Sequence, residues 1–189
     1  VVNSRTGKLI WKYYTDGKIR SSPRIAEGHI FIGSDDQDLH AVNVNSGRAV
    51  WKFSTDAPIH STPLVVNELV YVGTESGAFY CVDFRGTQKW RFQSKRAITS
   101  SPTFQGQAIF FSSVDSTLYA LDIKNGWAIW KFRLGKASVS SPAVTDDYVF
   151  VGAADGFIYC VDSHSAKEIW RFKTDNQISS SPTLYKDSL

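Results

Sequence analysis

Ile129-Trp130-Lys131-Phe132 is one copy of a motif that runs through the whole chain. A tryptophan, a basic residue and an aromatic residue recur at Trp11-Lys12-Tyr13, Trp51-Lys52-Phe53, Trp90-Arg91-Phe92, Trp130-Lys131-Phe132 and Trp170-Arg171-Phe172. Successive tryptophans are 40, 39, 40 and 40 residues apart, a period that marks stacked supersecondary units such as propeller blades. In an extended strand, residues i and i+2 share a face, so Trp51 and Phe53 point together into the packing and Lys52 points away. Trp11, Trp51, Trp90, Trp130 and Trp170 are thus read as structural blade anchors. Each contributes on the order of 5 kcal/mol of apolar burial before entropy is set against it. Lys12, Lys52, Arg91, Lys131 and Arg171 ring the outer strands, where charge discourages unwanted strand pairing.

Working outward from this segment, D, three further segments repeat in phase. Segment A carries Ile-x-Ser-Ser-Pro at Ile19 to Pro23, Ile98 to Pro102 and Ile178 to Pro182, with variants at Ile59 to Pro63 and Ser138 to Pro142. Proline lacks the ladder N–H and belongs at a sheet edge or strand end, and small hydroxyl residues allow close backbone approach. Segment A is therefore expected to be the innermost strand. Segment B is nearly continuously apolar, as in Val70-Tyr71-Val72-Gly73, which indicates a strand covered on both faces. Segment C, as in Ile158-Tyr159-Cys160-Val161-Asp162, ends on Asp or Asn, whose short side chain opens the turn into D. The pattern predicts an all-β propeller of four-stranded antiparallel blades at roughly 18–55, 58–94, 97–134 and 137–174, flanked by partial blades at 1–14 and 177–189.

Composition narrows the function classes. The chain has 189 residues with 42% hydrophobic content, which excludes a disordered polymer. No apolar run reaches the roughly 18 residues of a membrane helix, so no direct membrane insertion is expected of this segment. A formal charge of +3, evenly spread, gives no electrostatic footprint for nucleic acid. Cys81 and Cys160 share one phase, occupied elsewhere by Ala41 and Ala120, and are read as buried structural thiols. Val1 is no initiator and no signal segment follows it, so the chain is read as an excerpt of a longer array.

The combination of Asn43-Val44-Asn45-Ser46-Gly47-Arg48-Ala49-Val50-Trp51, the Ser-Ser-Pro segments and Gly152 to Tyr159 resembles the pyrroloquinoline quinone (PQQ)-like repeat, over essentially the whole chain. The resemblance implies a seven- or eight-bladed parent propeller and an extracytoplasmic, for instance periplasmic, setting. That family spans quinoprotein dehydrogenases, an outer-membrane assembly lipoprotein, and sensor or adaptor domains without cofactor. The dehydrogenases resemble one another in two adjacent cysteines against the quinone and an acidic and amide set on Ca²⁺. No adjacent cysteines exist here, and Asp83, Asp122 and Asp162 recur as turn residues. The expectation is therefore a non-catalytic scaffold or sensor with a protein partner, no cofactor and no metal. A PQQ- and calcium-dependent dehydrogenase fragment is the alternative.

Candidate binding residues come from a phase that changes while its neighbours stay fixed. Between Ile and Ser-Ser-Pro stand Arg20, His60, Thr99, Val139 and Ser179. As channel-facing positions, Arg20, His60, Thr99 and Ser179 are the candidates for a small ligand, with no catalytic residue assigned. The connections Thr15 to Lys18, Thr55 to Pro58, Gln93 to Arg96 and Leu134 to Lys136 share a face with the B-to-C hairpins and form an alternative docking surface for a protein or peptide. The histidines His29, His40, His60 and His164 fall at different phases, which argues against a shared metal cluster.

Overall fold

The computed structural model describes residues 1–186 and 188–189, and its 16 strands form four antiparallel sheets in simple sequential order. Blade one contains β1 (Arg24–Ala26), β2 (His29–Gly33), β3 (Asp38–Asn43) and β4 (Ala49–Ser54). Blade two contains β5 (Leu64–Val66), β6 (Leu69–Gly73), β7 (Ala78–Asp83) and β8 (Gln88–Gln93). Blade three contains β9 (Thr103–Gln105), β10 (Ala108–Ser113), β11 (Thr117–Asp122) and β12 (Ala128–Arg133), and blade four β13 (Ala143–Val144), β14 (Tyr148–Gly152), β15 (Phe157–Asp162) and β16 (Glu168–Lys173). Among the described residues, no helix is long and apolar enough to cross a membrane.

The Ile-x-Ser-Ser-Pro segments are not the innermost strands, as the sequence suggested. They lead into them: β1, β5, β9 and β13 each begin on the residue after the proline. The reason is where the polar groups go. The first serine folds back on the strand-B end of its own blade. Ser21 Oγ donates to Gly33 O at 2.9 Å and accepts from Gly33 N at 3.0 Å, and Ser61 repeats this with Gly73. The second residue reaches the next blade. Ser22 N donates to Thr62 Oγ1, Thr62 N to Ser101 Oγ, Ser101 N to Ser141 Oγ and Ser141 N to Ser181 Oγ, at 3.3, 3.0, 2.8 and 2.9 Å. With the N–H directed sideways, the segment cannot also enter its own ladder.

The core lies between blades rather than within them. One cluster joins Phe31, Leu39 and Ile59 to Val70, Val72 and Tyr80 across blades one and two. A second joins Tyr71, Phe79 and Trp90 to Ile109, Phe111 and Leu121, and a third joins Phe110, Leu118 and Ala120 to Val149, Val151 and Tyr159. The near-continuous apolar B and C strands of blades two and three are thus buried on both faces because each of those blades is sandwiched by its neighbours.

In every blade the C-to-D ladder carries one bulge, leaving Val50, Lys89, Ile129 or Ile169 unpaired just before the tryptophan. A bulge adds twist and re-aims the following side chain. Here it directs the indole onto the next blade. Trp11, Trp51, Trp90 and Trp130 donate Nε1–H to the carbonyls of Val44, Phe84, Ile123 and Ser163 at 3.2, 2.8, 3.2 and 2.8 Å. Each indole lies over the C-to-D turn of that blade, where Gly47, Gly86 and Gly126 have φ of +68, +80 and +74°. A methyl on Gly86 would sit 3.1 Å from the Trp51 ring, so the position demands glycine for both conformation and space. The fourth turn has Ala166 at φ +59°. Trp170 has no following blade among the described residues and is 43% exposed.

The basic residue of the triplet lies over the opposite aromatic face. Arg91 sits 5.4 Å from the Tyr80 ring centre, Lys131 5.6 Å from Tyr119, and Arg171 5.0 Å from Phe157. These cations are held against rings as well as facing solvent.

Candidate functional site

The blades have two loop edges. On one, the D-to-A connections and B-to-C hairpins are tied together: Asp35 N donates to Lys18 O, Glu75 N to Pro58 O, Val114 N to Ala97 O and Ala154 N to Ala137 O, all at 2.8 to 3.0 Å. On the other, the A-to-B turns meet the C-to-D loops, as where Ile123 N donates to Gln107 O at 3.0 Å.

The first edge carries a row of charged side chains running across blades one and two. Arg20 Nε donates to Asp35 Oδ2 at 3.0 Å, and His60 Nε2 lies 2.8 Å from Asp35 Oδ1. His60 Nδ1 continues the row to Glu75 Oε1 at 2.6 Å. Each ring nitrogen of His60 thus lies within hydrogen-bond distance of one carboxylate oxygen, so the imidazole links the two hairpins. Partial burial opposes ionisation of Asp35, but hydrogen bonds from Arg20 and His60 outweigh it and hold the carboxyl below its usual range. Asp35 thereby brings two of the candidate residues, Arg20 and His60, together. Thr99, at the same phase one blade on, has a buried hydroxyl oxygen without a partner. Val139 and Ser179 are exposed and lie outside the row.

Asp35 and Glu75 were absent from the sequence candidates because they sit in hairpins whose acidic residues read as turn formers. Their blade-three and blade-four counterparts are Val114 and Ala154, so the hairpin phase varies as sharply as the Arg20 phase. That joint variation was the available signal.

Deeper in the same edge, the hairpins of blades one, three and four are pinned by a hydrogen bond from strand C, whereas in blade two Ser76 Oγ donates to Asp56 Oδ1 instead. Tyr119 donates its hydroxyl to Asp115 Oδ2 at 2.7 Å, and Tyr159 does the same to Asp155 Oδ2 at 2.5 Å. Burial and the adjacent carboxylate raise both phenol pKa values. Blade one replaces the tyrosine with His40, wholly buried, whose Nε2 lies 3.1 Å from both Asp36 oxygens and whose Nδ1 lies 2.9 Å from Tyr13 Oη. Asp36, Asp38 and His40 bring potential ligand atoms within 4.8 Å of one another, yet both ring nitrogens of His40 are already engaged. The Tyr13, His40 and Asp36 set therefore pins a hairpin as Tyr119 and Tyr159 do.

The turn aspartates are similarly committed. Asp83 Oδ1 accepts from Arg85 N and Thr87 N, both at 2.9 Å, and Asp162 Oδ1 from His164 N and Ser165 N at 3.1 and 2.7 Å. Cys81 and Cys160 are buried free thiols in separate blades, and burial pushes them up to about 12 and about 11. They do not form the adjacent pair that the resemblance associates with a quinone.

The opposite edge has a groove of about 440 Å³ between blades three and four, lined by Gln105, Phe110, Ile129, Asp146, Asp147 and His164 among others. It is remote from the Arg20 to Glu75 row, and Gln105 bridges it to Asp146.

Solved structures confirm the fold. BamB from Moraxella catarrhalis superposes with a TM-score of 0.78 at 17% identity, over 88% of this chain and 56% of that one. The computationally designed Ika8 protein gives 0.81 at 16% identity over 93% and 56%, and the designed Ika4 protein 0.72 at 15% identity over 79% and 93%. The chain thus spans 56% of both BamB and Ika8. In all, 1299 chains match, so the likeness identifies an architecture and not an activity. No curated protein matches in sequence. The family model described as "Beta-alanine-activating enzyme, beta-propeller" matches residues 1–189, and the chain accordingly belongs to that β-propeller family.

Proposed function

We propose that the chain is a non-catalytic β-propeller scaffold or sensor module that binds a protein segment on the edge formed by the D-to-A connections and B-to-C hairpins. One observation carries this reading. In each of the four blades the first serine of the Ser-Ser-Pro segment and the Asn or Asp that opens the C-to-D turn are engaged within the fold, whereas Arg20, Asp35, His60 and Glu75 depart from the repeat and gather in one row. A charged row spanning two rigid blades can orient a polar peptide, and loops on a rigid scaffold are where recognition is commonly placed. The PQQ-like resemblance supports the same reading, with an extracytoplasmic setting and no bound cofactor as parts of the proposal.

The test is a random dodecapeptide display library panned against the chain, with enriched peptides re-measured on Arg20→Ala and His60→Ala. Loss of binding on either variant, at unchanged melting temperature, supports the reading. Enriched peptides that bind both variants as well as the parent chain overturn it.

A further inference from the structure

The same edge is electrically divided. Segments 15–18, 34–38, 55–58 and 74–78, on blades one and two, carry six carboxylates (Asp16, Asp35, Asp36, Asp38, Asp56 and Glu75) and one cation, Lys18. Segments 93–96, 113–117, 133–136 and 153–157, on blades three and four, carry four cations (Lys95, Arg96, Arg133 and Lys136) and two carboxylates. Those two carboxylates are turned inward: Asp115 is 8% exposed, and Asp155 accepts the Tyr159 hydroxyl. The four cations are all exposed.

Pairing sharpens the contrast. The ion pairs of this edge lie on blades one and two: Arg20 with Asp35, Lys52 with Asp16, Arg91 with Asp56, and His60 with Asp35 and Glu75. They leave an excess of carboxylate there. Among the described residues, none of Lys95, Arg96, Arg133 and Lys136 has a carboxylate within 4.0 Å. The segments that carry them are tied to the hairpins of the same edge. The backbone N–H of Lys95 donates to Asp115 Oδ2 at 3.1 Å and Arg133 Nη1 to Asp115 O at 2.7 Å, so residues 95 and 133 both contact hairpin 113–117. Arg96 adjoins the first, and Gly135-Lys136 is anchored where Gly135 N donates to Tyr159 Oη at 3.1 Å.

We infer that the partner segment is bipolar, with an acidic stretch lying over Lys95, Arg96, Arg133 and Lys136 and a basic stretch lying over Asp35, Asp38 and Glu75. The inference rests on the proposal that this edge binds a protein segment, and it adds the segment's charge pattern. A uniformly anionic polymer fits poorly, because any path that continues from blade three to blade two runs onto carboxylates. Opposed patches on one rigid surface fix orientation and suppress like-charged competitors.

The test uses fluorescence anisotropy at about 50 mM salt, where surface charge is weakly screened. Three labelled probes are compared: a peptide of six glutamates, a Gly-Ser linker and six lysines; a peptide of the same composition with alternating charges; and a twelve-residue oligothymidylate. The expected result is tightest binding of the bipolar peptide, weakened about tenfold by Lys95→Ala with Arg96→Ala, in keeping with two exposed ion pairs. Equal binding of the alternating peptide, tighter binding of the oligothymidylate, no binding of the bipolar peptide, or no effect of the double substitution overturns the inference. If display-selected peptides still lose affinity on Arg20→Ala or His60→Ala in that event, the docking edge stands and only the charge pattern falls.

Discussion

The backbone N–H of Ser101 donates to the hydroxyl of Ser141 at 2.8 Å, one blade and 40 residues away. The same bond links Ser22 to Thr62, Thr62 to Ser101 and Ser141 to Ser181, so the inner ends of the blades are stitched by one repeated contact. A hydroxyl, not serine in particular, is what the position requires. Ser141→Ala leaves the Ser101 N–H without its acceptor and is expected to cost about 1–2 kcal/mol, whereas Ser141→Thr, the residue used at position 62, stays within about 0.5 kcal/mol. Urea denaturation of the two variants provides the comparison.

The tryptophan latch makes a prediction of opposite signs at equivalent turns. Gly126 has φ +74° and lies against Trp90, so Gly126→Ala adds backbone strain and a clash and is expected to destabilise by about 2–3 kcal/mol. Ala166 occupies the same turn position at φ +59°, and Ala166→Gly relieves strain, with an expected gain of up to about 1 kcal/mol. Thermal unfolding of both variants checks the pair of signs.

At three blade junctions a glycine at the end of strand B packs under an isoleucine of the next blade: Gly33 under Ile59, Gly73 under Ile98 and Gly152 under Ile178. The junction of blades three and four has Ser112 and Ser138 instead, and Ser112 Oγ donates to Ser140 O at 2.8 Å. Ser138→Ile alone is expected to overpack, while Ser138→Ile with Ser112→Gly recreates the other junctions. A double-mutant cycle should show favourable coupling of about 1–2 kcal/mol. Additive effects would mean that the two positions do not share a site.

The thiols set an alkaline limit. Their folded pKa values, about 12 for Cys81 and about 11 for Cys160, exceed the usual thiol value near 8.5. Unfolded thiols ionise first, so their contribution is complete below about pH 8.5 and is lost as pH rises through the folded values. Alanine fills this phase at Ala41 and Ala120, and Cys81→Ala with Cys160→Ala is expected to retain the fold and flatten the stability loss between about pH 9 and 11. Asp35 behaves oppositely. Its depressed pKa gives stability that is present above the ordinary carboxylate value near pH 4 and lost as pH falls through the folded one, so Asp35→Asn should reduce the acid sensitivity of the fold.

The tryptophan period makes the architecture legible, because each indole must reach one blade further and the spacing records that reach. Three of the four bulges left a trace in the sequence that was not read as one, the exception being Lys89-Trp90. Val50-Trp51, Ile129-Trp130 and Ile169-Trp170 place two apolar residues side by side where a regular strand alternates. Ile-x-Ser-Ser-Pro was read one step too far into the sheet, since proline chemistry marks a strand end without saying which side of it the strand lies. Arg20 and His60 stood out by their variation. Their meeting at Asp35 did not, because that contact joins different phases of neighbouring blades and sequence periodicity compares only like phases. The shared departure of Ser112 and Ser138 was visible as two separate exceptions, and only packing shows them to be one.

Hydrogen exchange measured on the chain alone and saturated with a display-selected peptide tests the location of function most directly. Protection is expected in segments 15–18, 34–38, 55–58, 74–78, 93–96, 113–117, 133–136 and 153–157, the loops of the charged edge. Protection confined to 105–108, 146–147 and 163–164, around the groove of the opposite edge, would contradict it.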